Sequence, residues 1–480
     1  MAIGAIKASG RSSSRGRSRG PGVSGALLAA VTLLAVAAPA RADEETPRAA
    51  DTVQAESHHG SGTRVFGSST TYFTGRQVLD PEDPTSRLFQ MPMYQYLTLG
   101  ADDVGVPGFS FYVSGWGRLI PFHQAGEKSV AGDVLIGTLT YTHPKNYVTV
   151  RAGRQILYES AGNNTMMDGV YVRVRPKIPL EISAFGGLVP FQGSDFDLDR
   201  TVFGGRIAYR PWHFGNIGVS YTGQRAYGQF DRSNLGVDYA FRYFRQVEFA
   251  GYVLVDLVSA TFQETSNSLS YLLGRDWRFT LNYGMYDPSG RIPKTSIFSV
   301  FTDSDYHKVG LDVGYYGPGW LGASLYGRYF LYGGDEHGYE VGLRPTLRFD
   351  GAGAGSMLGF EVARLKGFSN AYTQARVFAT WRPEAFRRLM ITADANNYFY
   401  DDAIRGWDVW RRADPDGATA YRYQGKGGHE RSHVVTLTAG CDLGKGARLQ
   451  GDVAVHVNPD FTQAWSGLLK FQYEFETYVK

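Results

Sequence analysis

The sequence predicts an all-β fold: a single antiparallel transmembrane β-barrel of about 22 strands, roughly 18 to 22 if weak segments merge. Three observations predict it. Apolar and polar residues alternate with a period of two along most of the chain, so each segment has one greasy face and one wet face. The end of the chain, "GLLKFQYEFETYVK" (467–480), shows the pattern: Leu469, Phe471, Tyr473 and Phe475 oppose Lys470, Gln472, Glu474 and Glu476. The connectors then fall into two alternating sets, one tight and one generally longer. Finally, the wet face carries charge on almost every strand, whereas the inward face of a soluble sandwich is apolar.

Composition agrees. Of 480 residues, 60 are Gly, 31 Tyr and 29 Phe, a mixture that suits strands and tight turns rather than helices. No segment supplies the roughly 20 consecutive apolar residues that a spanning helix needs. The single cysteine, Cys441, forms no internal disulfide, so a disulfide-stapled scaffold is excluded. There is no Cys-x-x-Cys-His, so the chain attaches no c-type haem of its own, and no cofactor is expected.

The first 42 residues read as a signal peptide. Lys7, Arg11, Arg15, Arg17 and Arg19 form a basic region, "GALLAAVTLLAVAAPA" is the apolar run, and Ala40-Arg41-Ala42 fits a cleavage site before Asp43. Without a cysteine at that site or a twin arginine before the apolar run, the general secretory route is expected. This segment holds six Lys/Arg and no Asp/Glu, so the remainder has 43 basic and 46 acidic residues, a net charge of −3. The basic balance of the whole chain therefore belongs to the signal, and no nucleic-acid partner is expected. Residues 43–62 are polar and without period, a flexible periplasmic lead-in too short for a plug domain. Residues 63–480 form the predicted barrel.

Along the barrel, "NYVTVRAG" (146–153) sets Val148, Val150 and Ala152 against Tyr147, Thr149 and Arg151; "VYVRVRP" (170–176) sets Val170, Val172 and Val174 against Tyr171, Arg173 and Arg175. The same reading holds for 275–286 and 306–316, and the weakest segments are 64–77 and 258–271. Tight connectors occur at 143–146, 175–179, 210–216, 273–277, 316–320, 350–355, 382–386 and 443–447, each with Pro or Gly. Longer ones are expected at 78–91, 119–131, 156–166, 189–200, 287–305 and 400–432. An even strand number puts both ends of the barrel at its tight-turn side.

The wet face supplies the candidate lumen-lining residues: Arg151, Arg173, Glu181, Arg206, Asp238, Glu248, Arg278, Asp312, Arg328, Glu340, Arg344, Glu361, Arg376, Asp394, Arg448, Asp452, Lys470 and Glu474. Closing the sheet satisfies every backbone donor and acceptor, as lipid demands, with lipid on the greasy face and water within. Trp212, Trp277, Trp320 and Trp381 fall at or beside tight turns, where an interfacial belt places them. The mixed signs imply weak selectivity, since a strongly selective pore concentrates one sign at a constriction. None of the ten histidines lies in a nucleophile motif, and no Gly-x-Ser-x-Gly occurs, so neither catalytic nor metal-binding residues are assigned. His429 and His433 have a helical metal-site spacing, but the strand pattern that follows argues against a helix.

A family resemblance enters at 150–190. Gly153-Arg154-Gln155, Asp168-Gly169-Val170, Arg175-Pro176 and Phe185-Gly186-Gly187-Leu188 resemble porin-type barrels of Gram-negative bacteria. The stretch 296–316 is similar to segments of barrels that accompany multihaem cytochromes in metal-respiring deltaproteobacteria. The first resemblance implies an outer-membrane barrel passing small solutes. The second implies a sleeve holding cytochromes for electron transfer. The partners so implied are outer-membrane lipid, the barrel-assembly machinery and, for the sleeve, multihaem cytochromes. A non-conducting structural or adhesion barrel is the alternative from another class.

Overall fold

The computed structural model describes residues 62–79, 87–121, 129–160, 163–190, 198–212, 215–287, 305–317, 319–333, 336–349, 355–367, 371–386, 388–401, 431–458 and 461–479. The expected signal peptide, nearly all of the lead-in and most of the 400–432 connector lie outside them.

Among the described residues every regular element but one is a strand. They are β1 (Thr63–Leu79), β2 (Arg87–Gln90), β3 (Met93–Asp102), β4 (Phe109–Leu119), β5 (Val130–Thr142), β6 (Val148–Ser160), β7 (Asn163–Val174) and β8 (Leu180–Leu188). Then come β9 (Arg200–Trp212), β10 (Gly215–Ala226), β11 (Gln229–Tyr243), β12 (Val247–Asp256), β13 (Thr261–Leu273), β14 (Trp277–Tyr286), β15 (Tyr306–Tyr315) and β16 (Leu321–Tyr332). The series ends with β17 (Glu336–Phe349), β18 (Ser356–Lys366), β19 (Ala371–Trp381), β20 (Leu389–Tyr400), β21 (Arg431–Gly444), β22 (Ala447–Asn458) and β23 (Phe461–Val479). One 3-10 turn, Glu384–Phe386, sits in the connector after β19.

β2 and β3 are two parts of one barrel strand. Both pair antiparallel with β1, and Pro92, which has no N–H to give the ladder, lies between them. All other consecutive strands pair antiparallel, and the last, β23, returns to β1 from Thr63↔Val479 to Arg76↔Ser466. The result is a closed 22-strand barrel. The weak segments are strands too: β1 runs to 17 residues and β13 to 13.

The face assignment follows from exposure. Val170, Ile207, Leu139 and Leu469 are 46–57 % exposed and belong to the apolar series of their strands. This greasy face has no protein over it, so it is the outer wall. Tyr171, Arg173, Glu181 and Ala208, on the opposite series, are almost fully buried. Trp277, Trp320 and Trp381 are exposed at the tight-turn end; the Trp212 side chain lies outside the described residues.

Two expectations about connectors change. The 156–166 segment is not a long loop: β6 continues to Ser160 and β7 begins at Asn163. The small and polar residues of Ser160–Thr165 read as a loop in the sequence, but Leu157 and Met167 are buried together with Tyr171, Phe185 and Val202, and this apolar packing extends the hairpin. Several connectors on the long-loop side are also short, such as 226–229 and 256–261.

The extended hairpin leaves the cylinder. The β5–β6 ladder ends at Gly137↔Arg154, and the β7–β8 ladder begins at Asp168↔Leu188. Beyond those points β6 and β7 pair mainly with each other, and β6 also touches β9 and β10, with which it forms no ladder. Glycines permit the bend. Gly153 has φ +115°, a conformation that side chains disfavour, and a Cβ on Gly169 would lie 2.2 Å from the Gly186 carbonyl oxygen. The ribbon therefore folds inward and caps one corner of the lumen.

Candidate functional site

The inner wall is the candidate site. Neighbouring strands are about 4.8 Å apart, so an arginine can reach one or two strands sideways. This converts the charged face into lateral chains of ion pairs. Arg206 on β9 donates from Nε and Nη2 to Asp238 on β11, at 2.9 and 2.5 Å. On β11–β14, Glu248 accepts from Arg242 and, at 3.1 Å, from Arg278. Arg328 lies between Asp312 (3.8 Å) and Glu340 (2.8 Å). Arg376 lies between Glu361 (3.6 Å) and Asp394 (2.5 Å), and the Tyr326 hydroxyl donates to Glu361 at 2.9 Å.

Small residues on intervening strands make the long spans possible. Gly218 lies between Arg206 and Asp238, and a Cβ there would meet the Arg206 guanidinium at 2.5–2.7 Å. Ser270 occupies the equivalent place between Glu248 and Arg278 and receives an Arg278 hydrogen bond at 3.4 Å.

The densest cluster sits on β7–β9. Glu181 is 4 % exposed and accepts from Arg175 and, at 3.2 Å, from Arg210; Arg206 is 3.7 Å away. Arg173 is nearly buried, makes one 3.5 Å contact to Thr149, and has an Nε without a partner. Four guanidinium groups thus face two carboxylates, Glu181 and Asp238, for a local charge of +2. Arg151 lies over the Tyr171 ring at 5.7 Å.

Other predicted residues are on the same face but in no ion pair among the described residues: Arg344, Arg448, Asp452, Lys470 and Glu474. Asp452 accepts from Gln450 at 3.2 Å, and Lys470 lies 5.6 Å from the Tyr72 ring. The charge-pair chains therefore run over β8–β20, while on β21–β23 Arg448, Asp452, Lys470 and Glu474 stand outside any ion pair among the described residues and Glu476 pairs with Arg64.

Sequence reading missed several participants. Arg175 and Arg210 each open a tight connector, 175–179 and 210–216, so neither counted as lining; the spacing of Arg206 and Arg210 at i and i+4 was the available signal. Arg64, Asp102 and Glu476 meet where the first and last strands close, at 3.2 and 2.9 Å. Just beyond β20, Asp401 is held below the usual carboxylate range by its hydrogen bond from Arg364. The Gly-Arg-Gln and Asp-Gly motifs acquire a structural meaning: Arg154 donates to both oxygens of Asp168, at 2.8 and 2.9 Å. His433 is in a strand and shares a 2.7 Å hydrogen bond with Asn397; His429 lies outside the described residues. No group of metal-binding side chains occurs among the described residues.

A closed, even-numbered antiparallel sheet with an apolar outer wall and a charged interior is the architecture of an outer-membrane β-barrel. No family model matches the chain, and no curated protein does. Among solved structures, it is similar to the outer-membrane protein OpdK of Pseudomonas aeruginosa, at 9 % identity over 86 % of this chain and 99 % of that one, with a TM-score of 0.44. OccAB4 of Acinetobacter baumannii aligns at 10 % identity over 87 % and 99 %, with a TM-score of 0.42. OccK9 (OpdG) of Pseudomonas aeruginosa aligns at 11 % identity over 86 % and 98 %, also with a TM-score of 0.42. At such scores the likenesses add nothing to a fold that rests on strand register.

Proposed function

We propose that this chain is an outer-membrane channel giving small hydrophilic solutes passive, weakly selective passage. The observation that carries the reading is the inner wall: paired charges of both signs over β8–β20, with a local excess of arginine around Glu181. A barrel of about this strand number encloses more space than its own side chains are expected to fill. Water in that space screens the paired charges and weakens overall selectivity, while the Arg173–Arg175–Arg206–Arg210 cluster gives small anions a local resting place. The outer wall takes lipid as its partner, and the C-terminal strand offers the assembly machinery its alternating aromatic pattern.

The test is planar-bilayer recording of the purified barrel. Ohmic conductance with weak selectivity is expected. A folded barrel that carries no current overturns the channel reading in favour of a structural barrel. A native complex that is closed to ions and co-purifies with a haem protein, opening only when that protein is removed, supports the cytochrome sleeve instead.

A further inference from the structure

We infer that the break in the wall between β5 and β6 is a lateral portal, through which the alkyl chain of an amphiphile passes between the bilayer and the barrel interior, with Arg154 as its latch. The inference rests on the reading of the barrel as a membrane channel and adds a second route to it.

The wall is interrupted there in a specific way. β5 and β6 pair from Thr142↔Thr149 to Gly137↔Arg154, and no further among the described residues. Both strands nevertheless continue. Residues 130–136 of β5 stay on β4, and β6 stays on β7 as far as Ser160↔Asn163. Seven residues of β5 thus present an edge toward β6 with no ladder on it. Lipid penalises unpaired backbone groups, so a membrane barrel ordinarily has no such edge.

Arg154 lies across the break. Its Nη1 donates to the Val134 carbonyl oxygen at 2.8 Å and to Asp133 at 3.2 Å, on the β5 side. Its Nε and Nη2 hold Asp168, on the ribbon side. One side chain therefore ties the inward-folded ribbon to the wall it has left. These bonds are made by a side chain and can be broken without melting either strand.

The chemistry on the two sides fits an amphiphile. Outside, beside the last β5–β6 pairs, is an apolar hollow of about 410 Å³ lined by Phe111, Val113, Leu139 and Ala152. It is continuous with the exposed apolar wall, where alkyl chains lie. Inside, the first β6 residue above the break is Gln155, 1 % exposed, whose Oε1 has no partner. A buried carbonyl without a donor is unfavourable, and a hydroxyl or protonated carboxyl head would satisfy it. Leu157 and Met167 lie just beyond.

The experiment uses the full-length barrel, Cys441→Ala, in vesicles containing a fatty acid with a diazirine on its alkyl chain. After illumination, mass spectrometry maps the labelled residues. Label is expected on outer-wall Val170 and also on Ile136 and Leu157, which face inward on either side of the break. Val134→Cys with Ile156→Cys, bridged by a short bis-maleimide, should remove the inner label and keep the outer one. Arg154→Ala should raise the inner label several-fold, and Arg154→Lys should lie between. Label on Val170 alone overturns the portal and leaves the channel standing. Inner label that survives the bridge means entry by the mouth, and also overturns it. Absence of label on Val170 overturns the membrane reading and the portal together.

Discussion

Arg206 grips Asp238 through two hydrogen bonds that pass directly over Gly218. Three strands take part, and the middle one contributes only the absence of a side chain. Gly218→Ala should therefore act as Asp238→Asn does, by displacing the guanidinium. For a charge-assisted pair whose side chains are 11 % and 24 % exposed, each loss is about 1–3 kcal/mol. Urea unfolding of both single variants and the double variant checks this: the double should cost no more than the larger single, because one contact cannot be lost twice.

Val172 and Arg173 are neighbours on opposite faces of β7, with Val172 opposite Val150. Val172→Arg puts a charge on the lipid face and should cost about 2–4 kcal/mol near the midplane. Arg173→Val should assemble normally. Refolding into vesicles, followed by denaturant titration, measures both; the reverse order would mean the faces are exchanged.

Glu181→Gln should leave four arginines facing Asp238 alone. The channel should then become more anion-selective, read as a shift of reversal potential toward the chloride equilibrium value. Loss of a buried acceptor shared by Arg175 and Arg210 should also destabilise the barrel, by about 1–3 kcal/mol. Unchanged selectivity would remove this cluster from the conduction path.

Asp401 begins the connector after β20 and pairs with Arg364, which lowers its pKa. A lowered folded pKa means the stabilisation is fully present above the ordinary carboxylate value, about 3.9, and is lost as pH falls through the lowered value. The tether should therefore be intact from neutral pH to below that value. Asp401→Asn should lower stability at neutral pH and make no difference in strong acid, measured by denaturant unfolding of variant and parent across pH.

The amino-acid sequence determined the barrel and its two faces. Alternation is a local property with a fixed period of two, and Leu469 to Glu476 or Val170 to Arg175 reveal it without any knowledge of partners. The turns are equally local, because Pro and Gly act on their own backbone. Closure followed from counting, since an apolar face of such extent and a charged one cannot both be satisfied by an open sheet in water. Tertiary structure alone decided which charges meet. Arg206 and Asp238 are 32 residues apart and Arg64 and Glu476 are 412 apart. Such meetings depend on the register of strands and on what the intervening strand leaves empty. The inward ribbon was equally hidden. Its residues look like a loop because their alternation is weak, and they form strands because Leu157 and Met167 find an apolar corner made by β8 and β9. That corner exists only after the sheet has closed and bent at its glycines.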